Sequence, residues 1–147
     1  DRNIVLFGAP VDSEAVTRMH EKTPLLVDHE AALKDFVIRD RSSGKTFAPE
    51  KDDKGQYRIV YGLVTVFHNR ASPSGNVGTV LFSGITSGGT QGAAEYFSSP
   101  VELRKLRDKM VSTGLRGFPP AYQVVVRCTF SNMLLLSYEA TDFRVLH

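Results

Sequence analysis

Two short apolar runs, each ending in glycine and each followed by a helical pattern, constrain the fold of this chain more than any other feature. They are NIVLFG (3–8) and TVLFSG (79–84). A continuous apolar run is typical of a strand that is buried on both faces, as at the centre of a parallel sheet. Strands that alternate with helices favour an α/β fold. We therefore predict a three-layer, Rossmann-like open sheet with both runs at its parallel centre.

The other β-rich segments predict antiparallel pairs, so that the sheet is mixed. The long stretch at 57–69 is joined to 79–84 by a Pro/Gly-marked connection and should be its antiparallel neighbour. DFVIRD (35–40) and KTFAP (45–49) flank RSSG, which predicts a hairpin with Gly44 in its turn. Residues 25–33 are ambiguous and at best predict a strand followed by a short helix. Residues 121–143 predict a final strand pair towards one edge of the sheet.

The most clearly signalled helix is SPVELRKLRDKM (99–110). Ser99 is a typical N-cap and Glu102 completes a capping box. Gly114 is placed to end the helix. Its predicted buried stripe consists of Leu103, Leu106 and Met110.

Composition limits the class of protein. The 147 residues are 41% hydrophobic and 23% charged, which suits one compact domain over 1–147. A net charge of +2 gives no argument for direct nucleic-acid or membrane binding. The single cysteine, Cys128, excludes an internal disulfide and is predicted to be a buried free thiol. No secretory signal or membrane-spanning run is visible, so a cytoplasmic location is the default, and a start at Asp1 suggests a piece excised from a longer chain.

The glycine-rich segment SGITSGGTQG (83–92) raises the main functional question. Ligands of open α/β sheets bind beyond the carboxyl ends of strands, where two connections diverge. The segment lacks both the dinucleotide pattern G-x-G-x-x-G and the P-loop pattern G-K-[ST]. The glycines fit two interpretations equally well. One is a tight strand-to-helix turn with helix–sheet contact at Gly92. The other, which we adopt as the prediction, is a ligand site formed by Gly8, Pro10 and Ser13 after the first run and by Thr86, Ser87, Gly88, Gly89 and Thr90 after the second. The amides of Gly88, Gly89 and Thr90 are the expected hydrogen-bond donors to an anion.

A catalytic alternative stays open. GITSG matches the nucleophile-elbow spacing with Thr86 at its centre, and Ser87 is the neighbouring hydroxyl. Asp108, Asp142 and His147 follow in hydrolase order, but no general base is identified. A histidine within hydrogen-bond reach of Thr86 or Ser87 would favour a hydrolase or transferase. We assign no catalytic residue, no metal and no cofactor, and the Asp28–Glu30 cluster is read as a polar strand or loop end.

Four segments together are similar to bacterial Rossmann-like domains of unassigned function. They are NIVLFGAPVDSEAVTRM, YGLVTVFHN, TVLFSGITSGGTQGAAEYF and YQVVVRC. Such domains often follow a helix-turn-helix or winged-helix module in transcriptional regulators. The matching positions are Gly8, Pro10, Gly84, Gly89 and Thr90.

The resemblance implies a non-catalytic sensing or regulatory role, with a DNA-binding domain attached as the partner. From the residues we expect a small anionic or nucleotide-like ligand between the two glycine-marked segments. A structural domain that forms homodimers through a strand edge or an apolar face is the remaining alternative.

Overall fold

The protein is described here by a computed structural model, which covers residues 3–8, 14–69 and 77–147. Its helices are α1 (Glu14–His20), α2 (Thr86–Phe97) and α3 (Pro100–Ser112). Its strands are β1 (Ile4–Phe7), β2 (Leu25–Glu30), β3 (Asp35–Asp40), β4 (Thr46–Phe47), β5 (Glu50–Lys51), β6 (Tyr57–Asn69), β7 (Val77–Gly84), β8 (Ala121–Ser131) and β9 (Leu134–Val145). None of these helices is both long enough and apolar enough to cross a membrane.

The larger sheet is open and mixed, as predicted. Its strand order is β1-β7-β6-β8-β9, and the short β5 pairs with β6. β1 and β7 are parallel, whereas the other pairs are antiparallel. The predicted antiparallel pairing of 57–69 with 79–84 is confirmed, and β9 lies at an edge as expected for the final pair. The predicted parallel centre is wrong, because the parallel pair lies at the other edge.

The run NIVLFG forms that edge strand and is not buried. Ile4, Val5 and Phe7 are 49%, 55% and 61% exposed. The hairpin between β6 and β7 places β6 on one side of β7, and β8 then pairs with the far side of β6. β1 is left with the outer position, where α2 and α3 do not cover it. An apolar run therefore identified the strand correctly but not its place in the sheet.

A separate antiparallel sheet, with the order β2-β3-β4, packs on the face of the larger sheet opposite α2. The buried side chain of Gln123 joins the two sheets: its amide accepts a hydrogen bond from Leu25 N–H (3.0 Å) and donates to Leu25 O (2.9 Å). The predicted hairpin around Gly44 is confirmed, since Ile38 pairs with Phe47. Residues 25–33 resolve into β2 and a turn. The described residues thus form three layers, but the layer opposite α2 and α3 contains this small sheet.

An ion pair fixes the small sheet to the edge strand β9. Asp40 is 1% exposed and accepts hydrogen bonds from the Arg144 guanidinium at 2.9 and 3.1 Å. Burial opposes ionisation of Asp40, but hydrogen bonds from Ser42 and Arg144 outweigh it and hold the pKa of the carboxyl well below its usual range. Breaking this pair would leave a buried charge without a partner.

The predicted N-cap of α3 and the buried Cys128 are confirmed. The capping box is not formed, because Ser99 N–H donates to Tyr96 O (3.1 Å) and the Glu102 carboxylate pairs with Lys105, and Leu103 is only half-buried. The Ser99 side chain accepts a hydrogen bond from Glu102 N–H (3.3 Å), and α3 ends at Ser112. Leu106 and Met110 are buried. Cys128 is a free thiol in the core, and burial raises its pKa to about 12.

Candidate functional site

The glycine-rich segment is the start of a helix. β7 ends at Gly84, Ile85 is the N-cap, and α2 runs from Thr86 onwards. The expected helix therefore begins within the glycine-rich segment itself and leaves no open loop there. The glycines instead allow close packing between the helix and the sheet.

The backbone of α2 lies directly against β6 and β7. A Cβ atom on Gly62 would come 2.3 Å from the carbonyl oxygen of Gly89. One on Gly84 would come 2.5 Å from the carbonyl carbon of Gly89, and one on Gly89 would come 2.5 Å from the Tyr61 oxygen. No side chain fits at these contacts. Close contact between the helix and the sheet thus explains most of the glycines in this segment.

The two predicted segments nevertheless meet at one cleft. β1 and β7 are parallel neighbours, so their carboxyl ends reach the same edge of the sheet. A cleft of about 680 Å³ opens there. Of the predicted site residues, the cleft is lined by Gly8, Thr86, Ser87 and Thr90. Gly88 lines a neighbouring cleft and Gly89 is buried, while Pro10 and Ser13 lie outside the described residues.

The opposite wall was missed by the sequence analysis. It comes from the β2–β3 hairpin and the first residue of β6. These residues are Val27, His29, Lys34, Asp35, Phe36 and Tyr57. They belong to segments that neither the resemblance nor the glycine pattern covers. Only the packing of the small sheet against the larger one brings them to the cleft, and no pattern along the chain marks them.

The uncompensated charge of the described cleft residues is positive. The Tyr57 hydroxyl donates a hydrogen bond to the Asp35 carboxylate at 2.8 Å, and Lys51 Nζ lies 3.7 Å from the same oxygen. Burial, and then the Asp35 carboxylate, raise the pKa of Tyr57. Lys34 has no ion pair with any described residue. The Asp35 carboxylate is therefore neutralised by its neighbours, whereas the Lys34 ammonium group has no ion-pair partner among the described residues.

The first turn of α2 offers two amides to this cleft. A helix leaves its first four N–H groups without intrahelical acceptors. Here Ile85 N–H donates to Tyr61 O (2.9 Å) and Gly88 N–H donates to Thr86 Oγ1 (3.2 Å). The amides of Thr86 and Ser87 remain.

The predicted donors need correction for this reason. Gly89 N–H donates to Ile85 O (3.1 Å), which is the first bond of the helix, and Gly88 N–H is taken by Thr86. The amide of Thr90 lies beyond the first four and inside the helix. The available donors are thus Thr86 and Ser87.

Thr86 has an unusual backbone. Its φ is +61°, a left-handed value that β-branched residues rarely adopt. Its side chain is exposed, and together with Ser87 and Tyr57 it also lines a second cleft of about 400 Å³. Other residues of the second cleft include Gln56, Gln91, Phe130 and Met133. The strained residue thus stands between two clefts.

The histidine test for catalysis is not met in this conformation. Within residues 3–8, 14–69 and 77–147, no histidine shares a hydrogen bond with the hydroxyl of Thr86 or Ser87. His29 lines the cleft without reaching them. Its neighbours Asp28 and Glu30 both pair with Arg39. The same residues contain no cluster of three or more potential metal ligands.

The site thus consists of a helix start, a hairpin wall and a lysine that forms no ion pair with the described residues. The resemblance to bacterial Rossmann-like domains stays a prediction. In comparisons with known proteins, no family model, no curated protein and no solved structure matches this chain.

Proposed function

We propose that this chain is a ligand-sensing or regulatory domain that binds a small acidic molecule in the cleft at the carboxyl ends of β1 and β7. The cleft itself is the observation that carries the proposal. Its volume of about 680 Å³ suits a small molecule, since ligand pockets commonly measure about 300–1,000 Å³. Its position also follows the general rule for ligands of open α/β sheets.

The acidic group would lie at the start of α2. The amides of Thr86 and Ser87 lack intrahelical acceptors, and a helix N-terminus favours negative charge. The ammonium group of Lys34 lines the same cleft and has no competing carboxylate among the described residues. These groups together support an anion more strongly than a cation.

The rest of the ligand would be a ring or another apolar group. Phe7, Phe36 and Tyr57 line the cleft, and Phe7 and Phe36 are 61% and 37% exposed. Exposed apolar side chains that converge on a cleft are typical of ligand sites. A ring carrying a carboxylate or phosphate fits both the aromatic side chains and the donors at the start of α2. A nucleotide-like molecule is one example. A ligand that prefers one of two states would then bias an attached domain.

Thermal unfolding tests the proposal with defined probes. We expect indole-3-acetate or AMP at millimolar concentration to raise the Tm, because a molecule that binds only the folded state stabilises it. Inorganic phosphate should have a smaller effect, since it lacks the ring. A panel of such ring-bearing acids that leaves the Tm unchanged would contradict the proposal.

Matched tyrosine variants locate the binding. Ser87→Tyr fills the cleft and should abolish the Tm shift. Ser98→Tyr changes an exposed serine just beyond the other end of α2 and should keep it. Lys34→Gln should weaken binding about tenfold or less, the scale of one partly exposed charge contact. A shift that survives in Ser87→Tyr would place the ligand elsewhere.

A further inference from the structure

The backbone of Thr86 shows the geometry in which a nucleophile is presented. A β-branched residue at φ +61° costs conformational energy, and such strain concentrates at functional sites. Thr86 follows directly after β7 and the N-cap, and its side chain is exposed at the apex of the turn. The strand–turn–helix setting is the one that a nucleophile elbow requires.

Two positions before Thr86 there is no room for a side chain, whereas two positions after it an added Cβ would meet the end of the Phe130 ring. A Cβ on Gly84 would come 2.5 Å from the Gly89 carbonyl carbon, and one on Gly88 would come 2.9 Å from Phe130 Cζ. The elbow needs small residues at these two positions because the strand and the helix approach each other closely there. The first glycine of the Gly-x-Thr-x-Gly spacing thus has its structural counterpart in the contact of Gly84 with the backbone of α2.

An oxyanion donor lies beside Thr86. In an elbow, the amide of the residue after the nucleophile stabilises the developing negative charge, together with an amide from the loop after a nearby strand. The Ser87 amide is one of the two first-turn N–H groups that find no acceptor among residues 3–8, 14–69 and 77–147. Gly8, at the end of the parallel neighbour β1, lines the same cleft, but its amide donates to Phe82 O (3.0 Å). Ser87 N–H is therefore the oxyanion donor that the described residues supply.

We propose that the cleft hydrolyses activated carboxylic esters, with Thr86 as nucleophile and His29 as general base. His29 is the histidine that lines this cleft in the described part of the chain. It lies on the β2–β3 hairpin and must move towards Thr86 when a substrate is bound, since catalytic hydrogen bonds are often long without substrate. The activity goes beyond ligand binding, although it uses the same cleft.

The reaction needs only ester and water. Thr86 Oγ1 forms a bond to the ester carbonyl carbon, its proton passes to the His29 imidazole, and the carbonyl electron pair moves to the oxygen near Ser87 N–H. When the C=O re-forms, the bond to the alcohol oxygen breaks and the alcohol takes the proton from His29. Water, deprotonated by His29, then attacks acyl-Thr86. The acid leaves, and the proton returns to Thr86 Oγ1.

The test uses p-nitrophenyl acetate and the whole chain. We expect a burst of p-nitrophenolate and, after acid quenching, an acetyl group on the peptide that contains Thr86. Thr86→Ser should keep the burst because it keeps the hydroxyl. Thr86→Val preserves the side-chain shape and should lose the burst and at least about 10²-fold in rate, and His29→Gln should slow the reaction by about 10²-fold. Ser98→Ala is the unaffected control.

Two outcomes would overturn the proposal. One is the absence of a burst or of any acetyl group on Thr86 in the wild-type chain, which does not depend on how the variants fold. The other is a folded Thr86→Val variant that hydrolyses the ester at the wild-type rate. Either result leaves the thermal shift with indole-3-acetate or AMP unaffected, so the binding proposal and the catalytic proposal fail separately.

Discussion

At the scale of single residues, a methyl group added at Gly92 has two opposing effects on stability. Alanine is favoured over glycine within a helix by about 1 kcal/mol. A Cβ at Gly92, however, would come 2.2 Å from Cys128 Sγ, which is fully buried and has no space to yield. We expect Gly92→Ala to destabilise the protein by about 1–3 kcal/mol, the usual cost of overpacking a core. Denaturant unfolding measures the change.

A double variant separates packing from helix propensity. Cys128→Ala removes the sulfur atom, so Gly92→Ala should cost much less in that background. If Gly92→Ala alone increases the free energy of unfolding, the close contact between α2 and β8 is wrong.

His20 should make stability depend on pH. It is 2% exposed, and burial, followed by the charge of Arg41, lowers its pKa. The unfolded chain therefore binds a proton more readily than the folded chain, and stability falls as the pH drops below the unfolded value of about 6.5. The slope from this one group is at most about 1.4 kcal/mol per pH unit. Tm values between neutral pH and about pH 5 should fall less in His20→Met than in the wild type. An equal fall in the two proteins would contradict the role of His20.

At the scale of elements, the N-cap of α3 offers a local test. The Ser99 hydroxyl accepts the Glu102 N–H, which would otherwise lack an acceptor. Ser99→Ala should lower the free energy of unfolding by about 1 kcal/mol, and Ser99→Asp should retain most of it. Chemical denaturation of the three proteins provides the measurement. Equal stability of Ser99→Ala and wild type would show that the cap contributes nothing.

The elements that could be predicted from the sequence are those with local signals. The Ser99 cap, the Gly44 turn and the β6–β7 hairpin each depend on residues that are close along the chain. The glycines of α2 left a tight turn and a ligand site equally open, because their role in packing depends on distant residues such as Tyr61 and Cys128. Contacts between residues far apart along the chain therefore explain the glycines of α2.

The candidate site, like the fold, was predictable from the sequence only where a local signal marks it. Its α2 side follows from the position of a strand end, and Thr86, Ser87 and Thr90 do line the cleft. Its hairpin side, with His29 and Lys34, depends on how the small sheet packs against the larger one. No periodicity or motif along the chain carries that information.

At the scale of the whole molecule, β1 leaves an apolar edge. Within the described residues it pairs only with β7, and residues 3–8 include no charged side chain of the kind that protects strand edges. We expect the protein to self-associate as its concentration rises. Val5→Lys should reduce association, whereas Val101→Lys, at an exposed valine on α3, should not. Sedimentation velocity measures both, and a wild type that stays monomeric at high concentration contradicts the expectation.

The contact of α2 with β6 and β7 has a consequence for how occupancy of the cleft can be communicated. Main-chain atoms meet there without intervening side chains, so rotamer changes cannot let the helix slide. The hairpin wall, by contrast, is anchored through side chains, chiefly Gln123 and the Asp40–Arg144 pair. Any displacement on filling or emptying the cleft should therefore travel outward along β2 and β3, and a neighbouring protein that responds to it is expected to touch that smaller sheet.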